Sequence, residues 1–224
     1  TIISLTEIGD NSNRIDAPNV EMIALHKPPG IGLRTYFRLY RILRNLHGDV
    51  LHTRNLGTLD VQILGFLLRV PNRIHSEHGR DIDDPDGRKK KPQLIRRLLN
   101  PLVHTWVTVS EDLRTWCQEV VGIPERKLMQ ICNGVDTDRF DSVVSESRAR
   151  EDLVIFGSVT RFSEIKDPTN VVRALSQVVG DCRLIMAGDG PLLQSAKDLA
   201  VSLGVENRVK FLGKVDDTSG TYKK

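Results

Sequence analysis

The sequence predicts an α/β protein of parallel sheets with crossover helices, divided into two units. Three observations predict it. Short apolar runs of strand length alternate with stretches of helical period over almost the whole chain, an order that gives parallel strands joined by helices. The runs end in capping or turn-forming residues such as Ser110, Asn133-Gly134 and Gly188-Asp189-Gly190-Pro191. The alternation lapses near 134–150, where Asp136 to Asp141 and the polar run Ser145 to Asp152 lack apolar periodicity, so this stretch reads as a linker. A length of 224 residues allows one large or two small domains.

In the first unit, Ile2 to Leu5 opens the chain inside a strand-like run, which is the pattern of a fragment. Val20 to Leu25 reads as the next strand. A helix is expected near 31–47, with Leu33, Phe37, Tyr40 and Leu43 on its apolar face. Strand 50–53, helix 58–68 and strand 73–77 follow. Val107-Thr108-Val109 leads into Ser110 as an N-cap. Leu113, Trp116, Cys117 and Val120 then recur at helical spacing, and Gly122 closes the helix. Strand 128–132 ends at Asn133-Gly134.

In the second unit, Leu153 to Phe156 reads as a buried strand. Asp167 caps a helix with Pro168 at its first position, and Val171, Ala174, Leu175 and Val178 line the expected buried face. Strand 183–187, a helix carrying Leu192, Ala196, Leu199 and Leu203, and strand 209–212 complete three strands. An open doubly wound domain needs more, which again points to a fragment.

Composition narrows the function classes. Net charge is +3, pI about 8.8 and aromatic content 5%. Basic residues are dispersed, so a nucleic-acid module is not expected. No run has the length of a membrane span, and no signal-peptide pattern is present. Cys117, Cys132 and Cys182 are odd in number, far apart and without a CxxC, which argues against a disulfide framework or zinc site. All three read as buried thiols.

The richest segment is Gly157 to Pro168, in which Arg161 and Lys166 sit where a strand ends and a helix begins. Ligands of open α/β sheets bind at that edge. Two cations there suit a diphosphate, because arginine grips it through two parallel bonds and lysine adds a point charge. The plain alternative is two solvated surface cations. Gly188-Asp189-Gly190-Pro191 lies at the corresponding place after the next strand, either as a structural turn or as a close approach for a ligand.

Taken in order, Val109-Ser110, Asn133-Gly134-Val135-Asp136, Phe140, Gly157, Arg161, Lys166, Gly188-Asp189-Gly190-Pro191 and Phe211-Leu212-Gly213 make the chain resemble glycosyltransferase family 4 over most of 100–217. His26 to Gly30, His52 to Asn55 and Ser76 to Asp81 are similar to a bacterial branch of sugar transferases that accompany PEP-CTERM/exosortase exopolysaccharide loci. The resemblance implies two Rossmann-like doubly wound domains facing a cleft. It implies retaining transfer from a UDP- or GDP-sugar to a glycan or lipid-linked acceptor, with no required cofactor or metal. It divides the chain into an acceptor-side domain over 1–143, lacking its first strand and helix, and the start of a donor-binding domain over 144–224.

By that resemblance Arg161 and Lys166 grip the donor diphosphate, with Gly157, Gly188, Asp189 and Gly190 around the nucleotide. His78 is the expected histidine near sugar and diphosphate, with His75 as the fallback. His26, His52, His75 and Asn133 are the acceptor-side candidates. The family's glycine-rich loop, expected before Thr1, and its E-x7-E region, expected after Asp217, are not in the sequence. The chain as given is therefore expected to be inactive in transfer. The alternatives are a non-catalytic piece that at most binds nucleotide weakly, and a nucleotide-sugar epimerase.

The basic run Arg88 to Lys91, with Arg96 and Arg97 beside Leu94, Ile95, Leu98 and Leu99, reads either as a solvated helix face or as a dock on an anionic membrane. The second reading places the protein in the cytoplasm, peripheral on the inner face of the plasma membrane. Asp81, Asp83, Asp84 and Asp86 are either loop residues or a metal site.

Overall fold

The computed structural model describes residues 1–9, 12, 13, 15, 17–30, 32–81, 83–141 and 153–222. The expected linker lies, from residue 142 onward, outside them. The chain forms two compact units, Thr1–Asn133 and Gly134–Lys224.

The first unit runs β1 (Ile2–Ser4), β2 (Met22–Ala24), α1 (Leu33–Leu46), β3 (Val50–Arg54), α2 (Leu56–Leu59), α3 (Val61–Leu67), β4 (Asn72–Glu77), α4 (Lys90–Leu99), β5 (Thr105–Thr108), α5 (Glu111–Thr115) and β6 (Leu128–Gln130). All strand pairs are parallel. β1 pairs with β2, and β3-β4-β5-β6 form one sheet in chain order. Right-handed connections place the helices α2–α3, α4 and α5 on one face of that sheet. Between β1 and β3, which do not pair, lies a cavity of about 680 Å³ lined by residues of both, with Leu39, Leu43 and Val61.

The core of this unit joins Leu59, Val103, Trp106, Leu113, Trp116, Cys117, Val121 and Ile123. A smaller cluster of Leu25, Leu39 and Val61 seats α1. Here the sequence reading of α1 needs correction. Thr35 and Leu39 are the buried residues, with Tyr36, Ile42 and Leu43 beside them, whereas Leu33 and Phe37 face solvent. Leu, Phe, Tyr and Ile recur on two sides of this helix, so periodicity alone does not choose between them. The helix expected over 58–68 is broken at Asp60, whose carboxylate accepts the Tyr36 hydroxyl of α1.

Ser110 caps α5 by accepting the Leu113 amide at 3.2 Å. The helix continues as a π-helical turn over Trp116–Val121 and ends at Gly122 with φ 84°. Arg97 donates to the last carbonyls, those of Val121 and Val120.

The second unit contains α6 (Asp138–Asp141), β7 (Val154–Val159), α7 (Pro168–Gln177), β8 (Cys182–Ala187), α8 (Leu193–Ser202), β9 (Val209–Gly213) and α9 (Thr218–Tyr222). Its described strands form a parallel sheet in the order β7-β8-β9. The core joins Phe162, Val172, Leu175, Leu184, Met186, Ala196 and Ala200. Asp167 caps α7 through its side chain, which accepts the Asn170 amide, and Pro168 occupies the first turn. The buried face of α7 is Pro168, Val172 and Leu175, with Ala174 and Val178 outside it. Val154, Ile155 and Phe156 form the expected strand but are exposed rather than buried, because β7 has only β8 beside it among the described residues.

Cys117 and Cys182 are buried, and burial pushes the Cys117 thiol up to about 12. Cys132 is exposed, contrary to its apolar sequence context, because it lies beyond the end of β6. No helix among the described residues is long and apolar enough to cross a membrane.

Candidate functional site

In the first unit the candidates gather at the carboxyl ends of β3 and β4. Side chains alternate along β4, so Arg73, His75 and Glu77 face the helical layer while Ser76 points the other way. The Ser76 hydroxyl bridges two histidines, lying 2.9 Å from His52 Nε2 and 3.1 Å from His78 Nε2. Asn55, held at φ 58°, donates its amide to the Ser76 carbonyl and accepts the His78 amide at its side-chain oxygen, 2.8 Å away. This locks the start of the loop after β4 to the end of β3.

Partial burial, followed by the neighbouring His75 and Arg54, holds His52 below the ordinary imidazole range. Burial, Arg54 and His52 do the same for His78. Both rings are therefore held towards the neutral form, in which each offers one donor and one acceptor.

His75 is fully buried on the opposite side of β4, so it contacts no solvent-borne ligand. This corrects its place as fallback for His78 and as an acceptor-side residue. Its partners form a chain. Gln62 donates to Thr53 Oγ1 at 2.7 Å, and Thr53 Oγ1 lies in turn 2.7 Å from His75 Nδ1. His75 Nε2 then donates to Glu77 Oε1 at 3.2 Å. Arg96 closes the chain, donating from Nε and Nη2 to the two Glu77 oxygens at 2.6 and 3.1 Å. Trp106 packs edge-on against the His75 ring at 4.7 Å. Burial works against the Glu77 carboxylate, but the bonds from His75 and Arg96 outweigh it and keep its pKa below the usual range. Losing one partner of such a buried pair costs about 3–5 kcal/mol.

His26 lies apart from this group. It is exposed at the end of β2 with φ 51°, and its amide donates to the Thr6 carbonyl. Asn133 is exposed beyond β6 and ends the first unit.

In the second unit the turns after β7 and β8 interlock. The Phe162 amide donates to the Asp189 carbonyl at 2.9 Å, and the Leu192 amide donates to the Phe162 carbonyl at 3.0 Å. A Cβ on Gly188 would meet the Thr160 carbonyl oxygen at 1.8 Å, and one on Gly190 the Phe162 oxygen at 2.4 Å. The glycines thus let two backbones touch. Asp189 is exposed, and its side chain accepts the Gly190 amide. Arg161 and Lys166 are exposed at this edge, and their side chains have no hydrogen-bond or ion-pair partner among the described residues. Gly157 is different. It lies inside β7 opposite Ile185, with open space where its Cβ would be, so it makes no turn.

The basic run is largely occupied. Lys89 binds Asp83 at 2.5 Å, Arg88 lies 3.4 Å from Asp86, Arg96 is buried on Glu77, and Arg97 holds helix carbonyls. This corrects the reading of Arg88–Arg97 as one cationic face and leaves Lys90 and Lys91. The acidic run is a loop: Asp84 accepts the Arg88 and Lys89 amides, and Asp81 reaches Arg96 at 3.5 Å. Among the described residues no three His, Cys, Asp or Glu side chains converge to hold a metal ion.

Sequence reasoning missed Ser76, Asn55, Thr53 and Phe162. Strand parity was the available signal for Ser76, since it must face away from His75 and Glu77. The role of the Phe162 backbone had no local signal, because it depends on a turn some 27 residues away.

Each unit is a Rossmann-like α/β sheet of parallel strands, and in the second the turns at the carboxyl edge are built on glycines. The family model described as Glycosyltransferase Family 4 matches residues 2–139, and that described as Glycosyl transferases group 1 matches 140–224. The chain belongs to glycosyltransferase family 4. It is 35% identical over 213 residues to N-acetyl-alpha-D-glucosaminyl L-malate synthase of Bacillus anthracis, covering 89% of this chain and 55% of that protein. It is 28% identical over 123 residues to an uncharacterised glycosyltransferase of Methanocaldococcus jannaschii, covering 49% of this chain and 31% of that protein. The chain thus spans a third to about half of the length of these relatives. Among solved structures it is similar to Anabaena HepE in complex with UDP and glucose, with TM-score 0.70 and 22% identity, covering 90% of this chain and 57% of that one. It is also similar to a glycosyltransferase from Rickettsia africae, with TM-score 0.71 and 18% identity, covering 99% and 62%.

Proposed function

We propose that this chain is part of a retaining glycosyltransferase that moves a sugar from a nucleotide-diphosphate donor to a glycan or lipid-linked acceptor, in assembly of an exopolysaccharide of the PEP-CTERM/exosortase type. One observation carries the proposal. The Arg161 and Lys166 side chains stand without partners among the described residues at the carboxyl edge of the second sheet, on a turn whose neighbour is built from glycines.

As the bond between the anomeric carbon and the donor oxygen breaks, negative charge grows on the departing diphosphate. Arg161 takes two of its oxygens and Lys166 adds a point charge, an interaction that strengthens as the charge develops. Gly188 and Gly190 keep side chains out of the way of the nucleotide, with Asp189 beside it. In retaining transfer the acceptor oxygen arrives on the face the diphosphate leaves, so its proton passes to the leaving oxygen. No protein base is required by that route, and His78 serves as a hydrogen-bonding group to the sugar. Ser76 fixes the His78 ring, while His52, His26 and Asn133 are the acceptor-side groups. The donor side is supported by the UDP complexes of the structurally similar HepE.

The domain assignment, an acceptor-side unit over 1–143 and a donor-side unit over 144–224, belongs to the same proposal. So does a cytoplasmic site of action, with the exposed Lys90 and Lys91 of α4 turned to an anionic membrane surface.

Isothermal titration of the chain with UDP and with GDP tests the donor reading. Heat is expected with one of them, and Arg161→Ala should weaken that binding about tenfold or more, the worth of a charge-assisted hydrogen-bond pair. Affinity unchanged by the substitution removes Arg161 from the site.

A further inference from the structure

In three places an aspartate or asparagine directly precedes a glycine: Asp86-Gly87, Asn133-Gly134 and Asp189-Gly190. In such a pair the glycine amide nitrogen can approach the side-chain carbonyl carbon of the residue before it, because no Cβ crowds the path. Two conditions decide whether it does. The backbone must be free to turn, and the nitrogen must not be committed to a hydrogen bond.

Two of the pairs fail them. The Gly87 amide donates to the Asp84 carbonyl at 2.9 Å, and the Gly87 carbonyl accepts Gln93 Nε2 at 2.7 Å and Trp116 Nε1 at 3.1 Å. The Asp189 carbonyl accepts the Phe162 amide at 2.9 Å, and the Gly190 carbonyl accepts the Leu193 amide at 3.1 Å. Gly190 is also pressed against the Phe162 backbone. Asn133-Gly134 is under no such restraint. It follows the end of β6 at Gln130 and precedes α6 at Asp138, and both residues are exposed and outside helix or strand. Neither has a hydrogen-bond partner among the described residues. A Cβ on Gly134 would meet nothing within 4 Å. The chemistry favours the same pair, since a neutral carboxamide accepts a nucleophile that an ionised carboxylate repels.

We propose that Asn133-Gly134 is a self-modification site, where the chain converts its own asparagine into isoaspartate and aspartate. Solvent hydroxide takes the Gly134 amide proton, and the nitrogen attacks Cγ of Asn133. The new N–Cγ bond closes a succinimide ring as the Cγ–Nδ2 bond breaks. Nδ2 leaves as ammonia, taking a proton from water and restoring the hydroxide. A water molecule then opens the ring at either carbonyl. Breaking the N–Cγ bond gives aspartate. Breaking the bond from that nitrogen to the main-chain carbonyl carbon gives isoaspartate, with the main chain rerouted through Cβ. Either product puts a negative charge on the residue that ends the first unit. That residue is an acceptor-side group of the proposed function, but the modification does not depend on sugar transfer.

The test is incubation of the folded chain at mildly alkaline pH, followed by peptide mapping by mass spectrometry and methyl labelling with an isoaspartyl methyltransferase. The peptide containing Asn133 should gain the amide-to-acid mass and become a methyl acceptor, with the Asp86 and Asp189 peptides unlabelled. In urea those two should be labelled as well, while Asn133 reacts at a rate little changed. Gly134→Pro removes the attacking N–H and should abolish the labelling at residue 133. Gly134→Ala should slow it severalfold, and serves if circular dichroism shows the proline variant misfolded. An unmodified Asn133, a folded-state rate far below that in urea, or equal labelling at Asp86 or Asp189 overturns the proposal. So does undiminished labelling in a folded Gly134 variant. Titration with UDP and GDP before and after conversion keeps the two readings separate: conversion without nucleotide binding sinks only the donor assignment, and nucleotide binding without conversion sinks only this site.

Discussion

Gly157 and Gly188 give opposite predictions for the same substitution. At Gly188, φ is +140° and a Cβ would lie 1.8 Å from the Thr160 carbonyl oxygen, more than an ångström inside contact distance. The backbone conformation alone costs a side chain about 1–3 kcal/mol. Relieving the clash must part the turns after β7 and β8, straining the bonds Thr160 N to Ala187 O at 3.0 Å and Gly188 N to Gly213 O at 2.7 Å. At about 1 kcal/mol net for each bond lost, Gly188→Ala should destabilise the second unit by about 3–5 kcal/mol. At Gly157 a Cβ meets nothing within 4 Å, and the residue sits in a regular strand. Gly157→Ala should be neutral or stabilise by up to about 1 kcal/mol, because a strand glycine is entropically costly. Urea denaturation followed by far-UV circular dichroism measures both. Trp106 and Trp116 both lie in the first unit, so their fluorescence reports whether that unit is left intact. Gly188→Ala within 1 kcal/mol of the parent would refute the interlocked-turn argument, as would an equal loss at Gly157.

Glu77→Gln, which strands the buried Arg96, should cost the first unit about 3–5 kcal/mol, whereas Glu77→Leu/Arg96→Met should recover much of the loss; a double substitution as costly as the sum of its parts contradicts this. Glu77 is held below the usual carboxylate range, so its contribution is complete above the unfolded value near 4.3 and is lost as pH falls through the lower folded value. Urea midpoints of Glu77→Gln should accordingly show a shallower acid limb than the parent. His52 and His78 are both held low, so each stabilises the fold above the unfolded value near 6.5 and loses that contribution as pH falls below it. Nitrogen-15 NMR of the two rings should find both neutral at pH 7, and Ser76→Ala should alter the spectra of both together; independent behaviour would break the Ser76 bridge. Ellman's reagent should modify Cys132 quickly and leave Cys117 and Cys182 unreacted until unfolding, a pattern that two fast thiols would disprove.

Much of the architecture follows from local signals. The alternation of apolar runs and helical stretches gives parallel strands joined by helices. Ser110, Gly122 and the Asp167-Pro168 pair mark helix ends, because a cap needs only the residues within one turn of it. The resemblance to family 4 was legible for the same reason, since its motifs are short turns at strand ends. Which face of α1 is buried was not legible, because its apolar residues lie on two sides and only packing against Leu25 and Val61 selects one. Strand parity separates His75 from Ser76 and His78, but it took the Gln62, Glu77 and Arg96 partners to say which parity lies inside. Gly157 and Gly188 look alike in sequence, and only the approach of a distant backbone makes one of them obligatory. The cations of the basic run find their partners across many residues of chain, whereas the arginines of α1 find none among the described residues. The sequence by itself therefore determined most of the elements and the strand ends proposed to hold a ligand. Tertiary structure alone decided which side chains reach that edge and which are buried, because burial and backbone contact join residues that no local pattern relates.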